Sequence, residues 1–263
     1  MFSKQLPYSK FASTIVIAAS LVAVYPQILA GQSNKSGSSQ PNTSPATPQT
    51  KRNDRPPEAS STPQRREENK KPADSTRYSY EFKQPQFIVR RILIEHDAIG
   101  RGKITFERQN EEAPLVEPIE LSTAALGRIL GLWSELRFLD STENYQAAKQ
   151  FPHLGTMWIK MESGERKRTA EFNWSDNKRA WALVNEYRRV ANQAIFIFDI
   201  NVAREIQPLN APQLMDELEM YYTRNDLSDP QQLVPLLKEL RTDEHIPLMA
   251  RNHADRLLKK IEK

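Results

Sequence analysis

The sequence predicts an α+β protein: tandem β-β-α units forming an antiparallel sheet of four or five strands with helices on one face, followed by a C-terminal helical subdomain. Three observations predict it. A β-prone hairpin followed by a capped helix occurs twice. One long run, residues 175–204, carries Trp181, Val184, Tyr187, Ala191, Ile195, Phe198 and Val202 at steps of three and four, the repeat of one helix face. Beyond Gln207-Pro208 the apolar residues recur only at helical spacing. The expected organisation is a leader (1–30), a linker (31–78), an α+β domain (79–205) and a helical subdomain (206–263).

In the leader, Lys4 and Lys10 precede an apolar run from Phe11 to Val24, then Pro26 and Ile28-Leu29-Ala30. This is the order of a secretory signal peptide cleaved after Ala30. Uncleaved, residues 11–30 are long enough for a single membrane anchor with the lysines on the cytoplasmic side. Either way the rest of the chain is expected outside the cytoplasmic membrane, periplasmic or extracellular. Residues 31–77 hold seven prolines amid Ser, Asn, Gln, Thr and charge. Such a segment cannot bury enough apolar surface to offset its ordering entropy, so it is expected to be a disordered spacer. Its Lys51, Arg52, Arg55, Arg65, Arg66, Lys70 and Lys71 also suit weak contact with an anionic membrane or wall surface, diluted by Asp54, Glu58, Glu67 and Glu68.

The basic pI of about 9.2 belongs to this arm. Residues 1–78 hold 11 Lys+Arg against 5 Asp+Glu (+6) and residues 79–263 hold 26 against 28 (−2), which together give the +4 of the chain. A nearly neutral folded part argues against a nucleic-acid partner, because phosphate contacts need clustered cations on a folded face. Cysteine is absent. That excludes disulfides, thiolate metal sites and a cysteine nucleophile.

Folded structure is expected from about Tyr80. Residues 87–95 and 103–109 read as strands around the loop Asp97 to Gly102, and 115–121 as an edge strand because of Pro114 and Pro118. Ser122 or Thr123 caps a helix to about Arg137, with Leu126, Ile129, Leu130, Trp133 and Leu136 on its apolar face. Residues 143–150 suit a short helix. Residues 156–162 and 166–174 form the second hairpin, with Ala170 and Phe172 facing one way and Thr169 and Glu171 the other. Ser175 and Asp176 then cap the long helix, whose N-terminal half is expected to carry the sheet and whose C-terminal half the helical layer. Ile195-Phe196-Ile197-Phe198 also fits a buried strand, although the lack of Gly or Pro between Trp174 and Gln207 favours helix.

Pro212, Pro230 and Pro247 open three further helices. Within them, an apolar helix ending at Leu240, Asp243 in the turn, Ala250-Arg251, Ala254 and Leu257-Leu258 make residues 231–262 resemble a single HEAT-type helical repeat. The resemblance covers about an eighth of the chain. It implies stacked antiparallel helices and, in that family, protein–protein interaction surfaces rather than catalysis. A lone repeat cannot bury its own faces, so it is expected to stack on the helix at 212–223 and on the long helix. A generic antiparallel helical pair fits the same residues.

Motifs for chemistry are few. No two of the four histidines have metal-binding helical spacing, and no His-Glu-x-x-His, nucleophile elbow or phosphate loop occurs, so neither metal nor cofactor is expected. Ser175-Asp176-Asn177-Lys178 spells two elements of penicillin-binding proteins, but those elements are separate segments that converge, and here a helix cap accounts for the residues. Tyr145, His153, Trp158 and Trp174 are the candidate binding residues, as a recessed aromatic patch at one end of the second hairpin; buried core is the competing reading. Asn34, Asn42 and Asn173 stand in Asn-x-Ser/Thr triplets. The leading expectation is a non-enzymatic interaction module exported on a flexible tether to meet another cell-envelope protein. An envelope hydrolase using carboxylates or His153, and an inhibitor-like or small-ligand-binding module, are the alternatives.

Overall fold

The computed structural model describes residues 76–263, so the expected leader and nearly all of the linker lie outside the described residues. Strands β1 (Arg77–Lys83), β2 (Val89–Asp97), β3 (Arg101–Arg108), β4 (Leu115–Glu120), β5 (Thr156–Ser163) and β6 (Arg166–Phe172) form one antiparallel sheet in the order β4-β3-β2-β1-β5-β6. The sheet thus has six strands, against an expected four or five. The additional one is β1, which sits near the centre and pairs with both β2 and β5. Its period-two signal, Tyr78, Tyr80 and Phe82 between Arg77, Ser79, Glu81 and Lys83, begins where the polar arm ends. The expected linker boundary at residue 78 falls inside it.

The register lines the inward side chains up in rows. Glu117, Ile104, Ile94, Tyr80, Ile159 and Ala170 make the middle row; Leu115, Phe106, Ile92, Phe82, Met157 and Phe172 lie on one side of it. The opposite face is charged and solvated. There Arg91 bridges Glu81 (2.7 Å) and Glu107 (2.9 Å) across three strands.

Two helices cover the inward face, α1 (Thr123–Glu135) and α2 (Lys178–Ile206). Ser122 Oγ caps α1 by accepting from Ala125 N at 3.2 Å. The cap of α2 is Asn177 rather than Ser175 or Asp176: its side-chain oxygen accepts from Arg179 N (3.0 Å) and Ala180 N (3.1 Å). Residues 195–200 are helical. Ile195 and Phe198 pack on the sheet-side core while Phe196 and Ile200 enter a second core. A run apolar on all sides is what a helix between two cores requires, which is why it mimics a strand in sequence.

The second core joins the C-terminal part of α2 to α3 (Ala211–Thr223), α4 (Val234–Leu240) and α5 (Leu248–Ile261). A 3-10 turn, Pro230–Leu233, leads into α4 and is capped by Asp229. The helical pair α4–α5 is therefore stacked on α3 and α2. Its turn residue Asp243 accepts from His245 N (3.0 Å) and pairs with Arg204 Nε of α2 at 2.7 Å.

Residues 143–150 do not form the expected short helix. They run as an extended strap over the β6 end of the inward face. Arg168 holds it, donating to the carbonyls of Phe138 (2.7 Å) and Glu143 (2.6 Å). Gln146 and Asn173 clasp it through two further hydrogen bonds, and Ala147 N donates to Trp174 O at 2.9 Å. Tertiary partners satisfy the backbone groups that a helix would have paired internally.

Candidate functional site

Where the middle of α2 crosses β1 and β2, a cavity of about 650 Å³ opens between helix and sheet. Its floor is Tyr80, Phe82 and Ile92 from the inward rows of the sheet. Trp174 and Trp181 form one wall, Phe87 and Leu154 another, and Arg188, Asn185 and Asn192 project into it from α2. Trp181 and Arg188 are seven residues apart, two helical turns, so they share a face. The Arg188 guanidinium lies 5.0 Å above the Trp181 ring, within cation–π range.

Arg188 is half-buried and has no carboxylate partner among the described residues. Its neighbours are the Trp181 ring, Met157 Sδ at 3.6 Å and the Tyr80 hydroxyl. Burial pushes the Tyr80 phenol above its ordinary value, and the charge and hydrogen bond of Arg188 pull it partly back. The adjacent Arg189 is different. It pairs with Glu186 at 2.6 Å, and Glu186 also receives Arg128 Nε at 3.0 Å, tying α1 to α2. Arg188 is thus a cation that no carboxylate pairs with among the described residues, although a carboxylate or similar anion is its strongest natural partner.

The sequence-derived residues are dispersed. Trp174 lines the cavity and packs at a tilt against Trp181 (4.7 Å between centroids) and edge-on against Phe151 (5.2 Å). His153 lies on the exposed turn Pro152–Leu154, 6.0 Å from the Phe151 ring, so Phe151 links it to Trp174. Tyr145 is buried between Phe138 and Phe172 and is part of the core. Trp158 stands on the opposite face of the sheet, beneath Lys83 Nζ at 5.1 Å. It alternates with the buried Met157 and Ile159, and that alternation already put it on the other side. The residues that sequence reading missed are Arg188, Trp181, Tyr80, Phe82 and Leu154. The Trp181–Arg188 spacing was a visible signal; the approach of Leu154 was not.

Chemically, the lining offers aromatic faces, side-chain amides, the Asp226 carboxylate and two guanidiniums, of which that of Arg189 is already paired with Glu186. These are groups that hold and orient. Among the described residues no group of three or more His, Asp or Glu is arranged to hold a metal ion, and the His153 ring has no carboxylate partner. No helix among them is long and apolar enough to cross a membrane. Neither the models of known protein families nor the curated proteins match this chain.

Proposed function

We propose that the protein is a non-enzymatic interaction module exported to the cell envelope, and that the cavity between α2 and the sheet receives an apolar or aromatic side chain next to a carboxylate on another envelope protein. The observation that carries this is Arg188, half-buried against Trp181 with no carboxylate partner among the described residues. A bound carboxylate completes its hydrogen bonding, and the aromatic walls take up the apolar part. Export is supported by the charged, apolar and small-residue order of residues 1–30. Ile206, Leu209, Leu248 and Met249 stand exposed on the helical part and supply apolar area to the same partner. The cavity volume also suits a free small carboxylate, and that is the second reading.

Affinity capture from envelope extract tests it, with the full chain as wild type, Arg188→Met and Trp181→Ala. A charge-assisted hydrogen bond to a carboxylate is worth about 1.5–3 kcal/mol, so recovery of the partner falls about tenfold or more in Arg188→Met. Equal recovery by all three proteins overturns the assignment of this cavity. Loss of capture that is restored by washing out small molecules favours the free-carboxylate reading.

A further inference from the structure

A second groove, of about 460 Å³, runs along the other flank of α2, against β4. Its floor is apolar: Ile119, Ala194, Ile197, Phe198 and Val202. Its charge is of one sign. Glu117, Glu120 and Glu205 line it, and no lysine or arginine among the described residues does. Glu117 is the telling member. It occupies an inward position of β4, opposite the fully buried Ile104, where the row otherwise holds apolar residues and a tyrosine. Neither Glu117 nor Glu205 has an ion-pair or hydrogen-bond partner among the described residues, and Glu120 meets only Arg101, at 3.8 Å and largely in solvent. Ser228, 6% exposed, lines the same groove, and its Oγ is buried without a hydrogen-bond partner among the described residues. An orphan hydroxyl is costly unless something arrives to meet it.

The edge of β4 itself does not invite another strand. Leu121 N donates to Gly100 O at 3.0 Å, so alternate residues Val116, Pro118 and Glu120 direct their backbone groups outward. Pro118 has no N–H to offer, and the Glu120 carbonyl is already taken by Gln232 Nε2 at 3.1 Å. Recognition here must therefore run through side chains.

We infer that this groove is a second docking site, distinct from the Arg188 cavity, and that it takes a partner segment presenting a lysine or arginine flanked by apolar residues. The aliphatic stem lies along Ile197, Phe198 and Val202, and the cationic head meets the glutamates. Charge complementarity selects this occupant: a neutral apolar segment leaves three carboxylates uncompensated beside low-dielectric surface, and an acidic one adds repulsion.

The test uses the full chain and three capped tripeptides, Leu-Lys-Leu, Leu-Gln-Leu and Leu-Glu-Leu, followed by amide chemical shifts. Leu-Lys-Leu is expected to shift Glu117, Ala194 and Val202, and to bind Glu117→Gln/Glu205→Gln about fivefold or more weakly than wild type, with the same loss on raising salt. Because no internal partner is lost, the thermal midpoint of the double variant stays level or rises. Three results overturn the inference: Leu-Gln-Leu binding as well as Leu-Lys-Leu, shifts that map to the Arg188 cavity instead, or a variant that melts earlier because the glutamates serve the fold. Arg188→Met leaves Leu-Lys-Leu binding unchanged, so failure of either site is read separately.

Discussion

The hydroxyl of Tyr187 lies 2.9 Å from Nε2 of His96, with both side chains buried at the junction of sheet and α2. On its other side that hydroxyl receives Trp133 Nε1 at 3.0 Å, and His96 Nδ1 reaches the Asp97 carbonyl at 2.8 Å. A carbonyl only accepts, so Nδ1 carries the proton of the neutral ring and Nε2 accepts from Tyr187. The relay runs Trp133 to Tyr187 to His96 to Asp97, and every donor is used. A second proton on His96 would leave two donors pointing at the Tyr187 oxygen.

His96 accordingly has its pKa lowered from 6.5, chiefly by burial, with the Asp97 carbonyl and charge opposing. In the window below 6.5 the unfolded chain takes up a proton that the folded ring refuses. Stability is therefore fully present above that value and declines as pH falls toward the folded-state pKa. Denaturation midpoints at about pH 7.5 and about pH 5.5 should show this decline, and His96→Phe should flatten it while lowering the baseline. A folded-state titration of His96 at or above 6.5 contradicts the relay.

Two glycines should respond oppositely to alanine. Gly155, at φ +89°, would set a Cβ 2.6 Å from the Phe82 ring and 2.7 Å from the Lys83 carbonyl. Left-handed strain plus this collision costs Gly155→Ala about 2 kcal/mol or more in a urea titration. Gly127, inside α1, would place a Cβ in open space, with nothing among the described residues within 4 Å. Gly127→Ala should stabilise by about 0.5–1 kcal/mol, the helix-propensity difference.

Ile200 has no exposed surface and belongs to the helical core. All four tryptophans, Trp133, Trp158, Trp174 and Trp181, lie in the sheet half. Because α2 is built into both cores, Ile200→Ala should cost about 2–5 kcal/mol and shift the tryptophan fluorescence transition as far as the helical signal by circular dichroism. Separate midpoints for the two signals would mean the cores unfold independently.

Arg168 holds the strap through two carbonyls and lies 4.5 Å from the Phe138 ring. Arg168→Met strips those carbonyls of their charged donor, and a loss of about 2–3 kcal/mol follows. Hydrogen exchange should rise first in residues 138–147, ahead of β6.

Local pattern sufficed wherever the periodic signal and the burial agree. The hairpins, the Ser122 cap, the edge position of the Pro118 strand and the three proline-led C-terminal helices lie within a few residues of where they were expected. The α2 stripe was legible for the same reason, since a helix face is written at steps of three and four. β1 was legible in Tyr78-x-Tyr80-x-Phe82 but adjoined a polar arm whose composition masked it. The strap was not legible: residues 143–150 have helix-compatible spacing, and Arg168 on β6, Asn173 and the Trp174 carbonyl decide that the segment is held from outside.

By itself the sequence determined that the chain is α+β, where most of its regular elements run, and that the net positive charge belongs to the first 78 residues, because these depend on composition and on neighbours a few positions apart. Tertiary structure alone decided that, among the described residues, Arg188 meets aromatic rings and no carboxylate partner, and Glu117 faces inward without a partner. Those are relations between segments far apart along the chain, and pairing register and helix docking, which no local pattern encodes, bring them together.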